Sequence, residues 1–201
     1  MLLNILLRLL TVGVMVLPLA GLVTGCATTA DKGSVSVPRG WSWRNLTQEV
    51  RLSEPGANEL VVVINYNAPF GNHAGLFAGT RLSDPAGSYR SVRSRLPEWR
   101  EPSLVDYVAY QMSDGWRIQI YRFDLSGHEL SAVLGRLTEA DRGMPLFCAA
   151  AVQNAIAGIG PFQSIPATWW TSPAALADRL DALLDEGGIV GVCRRIDGSA
   201  C

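Results

Sequence analysis

The chain has 201 residues, a formal charge of −1 and 48% hydrophobic residues. That balance suits one globular domain with a sizeable core, and the lack of a basic stripe sets nucleic acid aside. Two histidines and four cysteines show neither C-x-x-C nor H-x-x-x-H spacing, so no metal or cofactor is expected, and with Lys32 as the only lysine, lysine catalysis is excluded.

Residues 1–25 carry an early positive charge, Arg8, then an apolar run over 9–19 interrupted by Thr11 and Gly13, the layout of a secretory signal peptide. The segment ends in Val23-Thr24-Gly25-Cys26, which resembles a bacterial lipobox: aliphatic, small, small, then the cysteine that takes the lipid. On that resemblance Cys26 is the first mature residue and an acyl-chain anchor. An uncleaved membrane anchor is the alternative, and the signal-sized run with a complete cleavage pattern favours the lipoprotein. Ala27 after the cysteine, in place of aspartate, implies the periplasmic face of the outer membrane. Residues 26–40 read as a small, polar tether, leaving 41–201 as the folded domain.

Residues 41–52 permit no assignment. Residues 60–66 form a continuous β-branched run, expected to be a buried strand, and 67–72 a turn-rich loop. Residues 73–78 and 81–84 flank Gly79-Thr80, the signal for a two-residue type II′ hairpin, closed by the turn Asp84-Pro85-Ala86-Gly87. Residues 104–112 and 116–123 alternate around Ser113-Asp114-Gly115 and predict a second hairpin. Ser126-Gly127-His128-Glu129 is a capping box that opens a helix to about Glu139, with Leu130, Val133, Leu134 and Leu137 on one face. Residues 146–161 predict a helix with Pro145 just ahead of it; Ser172-Pro173 caps another over 174–186, and 189–196 make a last strand. Strands followed by helices, without a βαβ rhythm, give an α+β fold.

Cys148 falls in the first turn of its helix, where unpaired N–H groups and the dipole favour a thiolate. Of the two candidate bases, His128 reads as a solvated helix residue. His73 starts a strand; a two-residue turn pairs Ala78 with Arg81 and hence Gly75 with Asp84, which sets Asp84 diagonal to His73 on one face, within reach of a carboxylate–imidazole bond. Plainer accounts stand beside each: Cys148 as a small buried hydrophobe, Asp84 as a turn starter, His73 as a loop cap. Arg81, Arg90, Arg93, Arg95 and Arg100 either hold an anion or lie on a solvated loop balanced by Asp84, Glu98 and Glu101, and the loop is the favoured account. Cys193 and Cys201 are candidates for a disulfide in an oxidising compartment.

The order histidine, aspartate, then cysteine at a helix start reverses that of papain. It resembles the circularly permuted branch of the NlpC-type papain-like superfamily, which includes the YiiX-like and lecithin:retinol acyltransferase-like proteins. The resemblance rests on Asn72-His73-Ala74-Gly75-Leu76-Phe77, on Ser83-Asp84-Pro85-Ala86-Gly87-Ser88-Tyr89, on Phe147-Cys148-Ala149 and on the stretch over 169–177. It covers residues 60 to about 184. It implies a permuted papain-like α+β domain, an antiparallel sheet packed against the cysteine helix, with Cys148 as nucleophile, His73 as base and Asp84 as orienting residue. The implied activity is that of a membrane-anchored cysteine hydrolase working through a thioester, with amide bonds of peptidoglycan peptides as substrate. A lipid-directed thiol acyl hydrolase or acyltransferase is the alternative, with Trp169 and Trp170 lining an acyl groove unless they lie partly in the core. A non-catalytic envelope lipoprotein on the same fold is the third reading.

Overall fold

In the computed structural model, residues 52–140, 147–186, 190–196 and 199–201 are described. The signal peptide, Cys26, the tether, Pro145 and residues 41–51 lie outside these. No helix among the described residues is long and apolar enough to cross a membrane.

Strand β1 (Glu59–Asn65) is buried from Leu60 onward on both faces, which is why its sequence is uninterrupted rather than alternating. It pairs antiparallel with β2 (His73–Ala78) on one side and β4 (Ile118–Asp124) on the other. β3 (Arg81–Ser83) extends the sheet beyond β2, and β5 (Gly191–Arg195) beyond β4, giving the order β3-β2-β1-β4-β5 with every pair antiparallel. Gly79 takes a φ of +56°, and among the described non-glycine residues only Ala86 has positive φ, so the turn is glycine-first as a type II′ connection requires. The register is the expected one: Ala78 opposite Arg81, Phe77 opposite Leu82, Leu76 opposite Ser83.

One helix covers a stretch where the alternation predicts a strand. After the short helix α1 (Tyr89–Arg93), residues 104–111 form helix α2 (Leu104–Gln111), continued by a 3₁₀ turn over Met112–Asp114. The alternation is accidental: Leu104, Tyr107, Val108, Ala109, Gln111 and Met112 are the residues that bury, and they cluster on one helical face. Ser103 caps the helix by accepting from Asp106 N, while the Glu54 carboxylate takes Leu104 N at 2.7 Å and Val105 N at 3.3 Å. Only the second arm of the expected hairpin is a strand, and it pairs with β1.

The remaining helices follow their caps. In α3 (Gly127–Ala140) the capping box closes reciprocally, Ser126 N to Glu129 Oε2 and Glu129 N to Ser126 Oγ. α4 (Cys148–Ile156) is shorter than its apolar run, and the chain leaves it ahead of Gly158, which has a φ of +70°. α5 (Pro173–Asp185) starts on Ser172, whose Oγ accepts from Ala175 N. Beyond β5, Arg195 N bonds Ser199 O, Arg194 bridges Ala200, and a disulfide joins Cys193 to Cys201.

Helices α3, α4 and α5 cover one face of the sheet, over Leu60, Val62, Ile64, Ala74, Leu76, Tyr121 and Phe123. Helices α1 and α2 cover the other, over Val61, Val63, Phe77, Ile118 and Ile120. The architecture is α+β, with the sheet between two helical layers.

Candidate active site

His73 opens β2 and Asp84 follows directly on β3, so the tight hairpin brings two residues eleven positions apart into contact. The His73 Nε2 to Asp84 Oδ1 distance is 2.6 Å, and both side chains are buried, 8% and 4% exposed. β3 pairs β2 only from Leu76 to Ala78, so it stops short of His73. Asp84 Oδ2 accepts from Tyr89 N at 3.3 Å, so both carboxylate oxygens are engaged.

The face of β2 that carries His73 and Gly75 is roofed by α2. Tyr107 Oη donates to Asp84 Oδ1 at 2.9 Å, and a Cβ on Gly75 would overlap that hydroxyl. The gap that glycine leaves between His73 and Asp84 is therefore filled by a phenol. Burial above all, then the Asp84 charge, pushes the Tyr107 pKa well above the usual phenol range. One turn on, Gln111 accepts from Asn65 Nδ2 at 3.1 Å. Asn65 stands directly across the β1–β2 ladder from His73. Tyr107, Gln111 and Asn65 have no place in the sequence-level site. The spacing of Tyr107 and Gln111, four apart on a helix, was the available signal, and it is visible only once that segment is read as helical.

Cys148 is the first residue of α4, fully buried, and the only free cysteine among the described residues. Phe147, at the N-cap, contributes no side-chain cap. α4 packs on β2, and the thiol is near enough to Tyr107 for its charge to contribute to the raised phenol pKa. The far end of α4 is held by Arg136, whose guanidinium donates to the carbonyls of Asn154 and Ala157 at 3.1 and 2.6 Å. Helix α4 is buried on all sides but at Asn154; of its two amides, Gln153 bonds Pro166 O and Arg179, and Asn154 bonds Thr168.

The other candidates separate. His128 is exposed on α3, as its surface reading requires. Arg93 departs from the solvated-loop account: it is buried and paired with Asp106, Nε to Oδ2 at 2.9 Å, because Asp106 faces it from α2 and also accepts from Tyr89 Oη. Arg90 bonds Leu82 O and Arg81 bonds Thr138 Oγ1. Trp169 and Trp170 are not core residues; they are 85% and 50% exposed, because Thr168 Oγ1 and the Asn154 amide pin the loop backbone while the rings project outward. Among the described residues no group of three or more His, Cys, Asp or Glu side chains is placed to hold a metal ion.

Chemically, a carboxylate bonded to Nε2 keeps a proton on that nitrogen and leaves Nδ1 as the basic atom of the ring. The structure thus brings His73 and Asp84 into contact, and Cys148 opens the helix that packs on the same strand, β2. Compared with known proteins, the chain matches no family model, no curated protein and no solved structure.

Proposed function

We propose that this protein is a thiol hydrolase of permuted papain-like design, with Cys148 as nucleophile, His73 as general base and acid, and Asp84 as the orienting residue. The buried 2.6 Å contact between His73 and Asp84 carries the reading: an imidazole locked on a carboxylate, with one nitrogen left over, is a base built for one partner. His73 Nδ1 takes the Cys148 proton, and the sulfur attacks an acyl carbon to give a tetrahedral oxyanion. The first-turn N–H groups of α4 stabilise that charge. Collapse breaks the C–N bond, the imidazolium gives its proton to the departing amine, and water then cleaves the thioester to return acid and thiol. With the lipobox expected at Cys26, amide bonds of cell-wall peptides are the substrate class. The exposed pair Trp169 and Trp170 favours a second reading, an acyl hydrolase or acyltransferase directed at lipids, since two solvent-facing indoles offer a landing surface for acyl chains.

The test is mass-spectrometric mapping of iodoacetamide labelling at Cys148 from pH 4 to 9, on the full-length chain in detergent. Wild type labels below about pH 7, and His73→Ala shifts labelling toward the free-thiol value of about 8.5. Labelling that begins only near that value in both proteins overturns the enzyme and leaves a binding lipoprotein. Muropeptide cleavage against acyl release from phospholipid then separates the two substrate classes.

A further inference from the structure

We propose that Tyr107 is a positioning residue of this site: with Gln111 and Asn65 behind it, it holds Asp84 so that His73 is bound through Nε2 alone and presents Nδ1 to the thiol. The proposal deepens the Cys148–His73 reading and rests on it.

Hydrogen bonds tie α2 to β1 and Tyr107 to Asp84. Asn65 Nδ2 donates to Gln111 Oε1 at 3.1 Å and to Gln111 O at 3.2 Å. Those bonds pin the turn of α2 that follows Tyr107 to strand β1. The Tyr107 hydroxyl hydrogen has Asp84 Oδ1 as its acceptor at 2.9 Å. Burial keeps the phenol protonated, so the donor persists across any working pH. Asp84 Oδ1 receives Tyr107 and His73 Nε2 together, while Oδ2 faces Tyr89 N. Those contacts fix the rotation of the carboxylate and with it the plane of the imidazole.

Packing alone does not require the hydroxyl. A phenylalanine would fill the same slot between Phe77 and Tyr89, whose rings meet Tyr107 edge-on at 5.7 and 5.2 Å, without burying an O–H. The hydroxyl has a use only if Asp84 must be held, and Gly75 has no Cβ because that oxygen sits over it. Asn65 and His73 are direct partners across the ladder, so the Asn65–Gln111 bond anchors α2 to the sheet opposite the residue being positioned. The charged or titratable groups facing Tyr107 are Asp84 from the β3 end, Cys148 from α4 and Tyr89 from α1, with the Arg93–Asp106 pair beyond Tyr89.

The experiment uses full-length protein with ¹⁵N-labelled histidine. Exposed His128 is an internal reference, and the ring nitrogens of wild type and Tyr107→Phe are compared above the imidazolium titration. The expected result is a single Nε2–H tautomer for His73 in wild type and a mixture with Nδ1–H in Tyr107→Phe. The pH midpoint of Cys148 labelling rises by about one unit, the scale of one lost charge-assisted hydrogen bond. An unchanged His73 tautomer and labelling midpoint in Tyr107→Phe, with only the unfolding midpoint lowered, overturns the proposal. If wild-type labelling ignores His73→Ala, the thiol reading fails, while the tautomer comparison still decides whether Tyr107 positions His73. Should Tyr107→Phe not fold, Gln111→Met removes the side-chain bond that ties α2 to Asn65 and is expected to give the same changes at smaller size; no change there overturns the proposal equally.

Discussion

Gly75 shows how much a single absent methyl group decides. The position lies between His73 and Phe77 on a buried strand, where a β-branched residue is the ordinary choice. Its Cα faces the Tyr107 hydroxyl and ring so closely that any side chain must displace them. Gly75→Ala is therefore expected to cost about 2–3 kcal/mol in urea unfolding, the usual range for an overpacked site. It should also shift Cys148 labelling upward in pH, because α2 moves away carrying Tyr107 and Gln111. A stability change without a labelling change would show that the helix relaxes without disturbing Asp84. His73 and Asp84 were legible in the sequence because a two-residue turn admits one register, and register fixes which side chains meet.

At the scale of elements, legibility follows the caps. Ser126 with Glu129, and Ser172 with Pro173, mark α3 and α5 within a residue or so, because the bonds they make are local. α2 escaped although Ser103, capping Asp106 N, is a local start signal, because Val105 and Tyr110 put apolar residues off its buried face and give the stretch a strand-like alternation. The misreading hid Tyr107 and Gln111 together.

Helix α5 supplies a pH test of its own. Burial raises the Asp181 pKa, although Tyr121 Oη donates to it at 2.9 Å and works the other way. A carboxyl whose folded pKa exceeds its unfolded value stabilises the fold when protonated; that contribution is complete below the unfolded pKa and is lost as pH rises through the folded one. Asp181→Asn keeps an acceptor for Tyr121 and removes the charge. It should unfold at higher temperature than wild type near pH 7, with the gain vanishing below about pH 4. Equal gain at both pH values would assign the effect to packing.

For the whole molecule, the sheet's two covered faces explain why so much of the candidate site is buried: His73 and Asp84 lie beneath α2, and Cys148 opens α4, which packs on β2. The α+β class was legible from strands followed by helices, while the division of the five described helices between two faces was not, since it depends on which side of β1 each helix finds. At the opposite end of β1 from His73, Glu59 and Arg122 make a two-point ion pair between β1 and β4, at 2.6 and 2.8 Å.

The disulfide between Cys193 and Cys201 has a consequence for self-association. Every open sheet has two outer strands whose unpaired backbone invites another chain. On one side that strand is β3, three residues long and followed by Asp84-Pro85, too short to template growth. On the other it is β5, and there residues 199–201 fold back along it, with Ala200 bridged to Arg194 and the Arg195 guanidinium on the carbonyls of Ala200 and Cys201. The disulfide staples that cover down. Reduction is expected to release it and let molecules add β5 to β5, seen as light scattering that rises with protein concentration in reductant and stays flat without it. Flat scattering in both would mean that the arginine contacts hold the cover unaided. In an oxidising compartment, the same bond would serve as a guard against polymerisation.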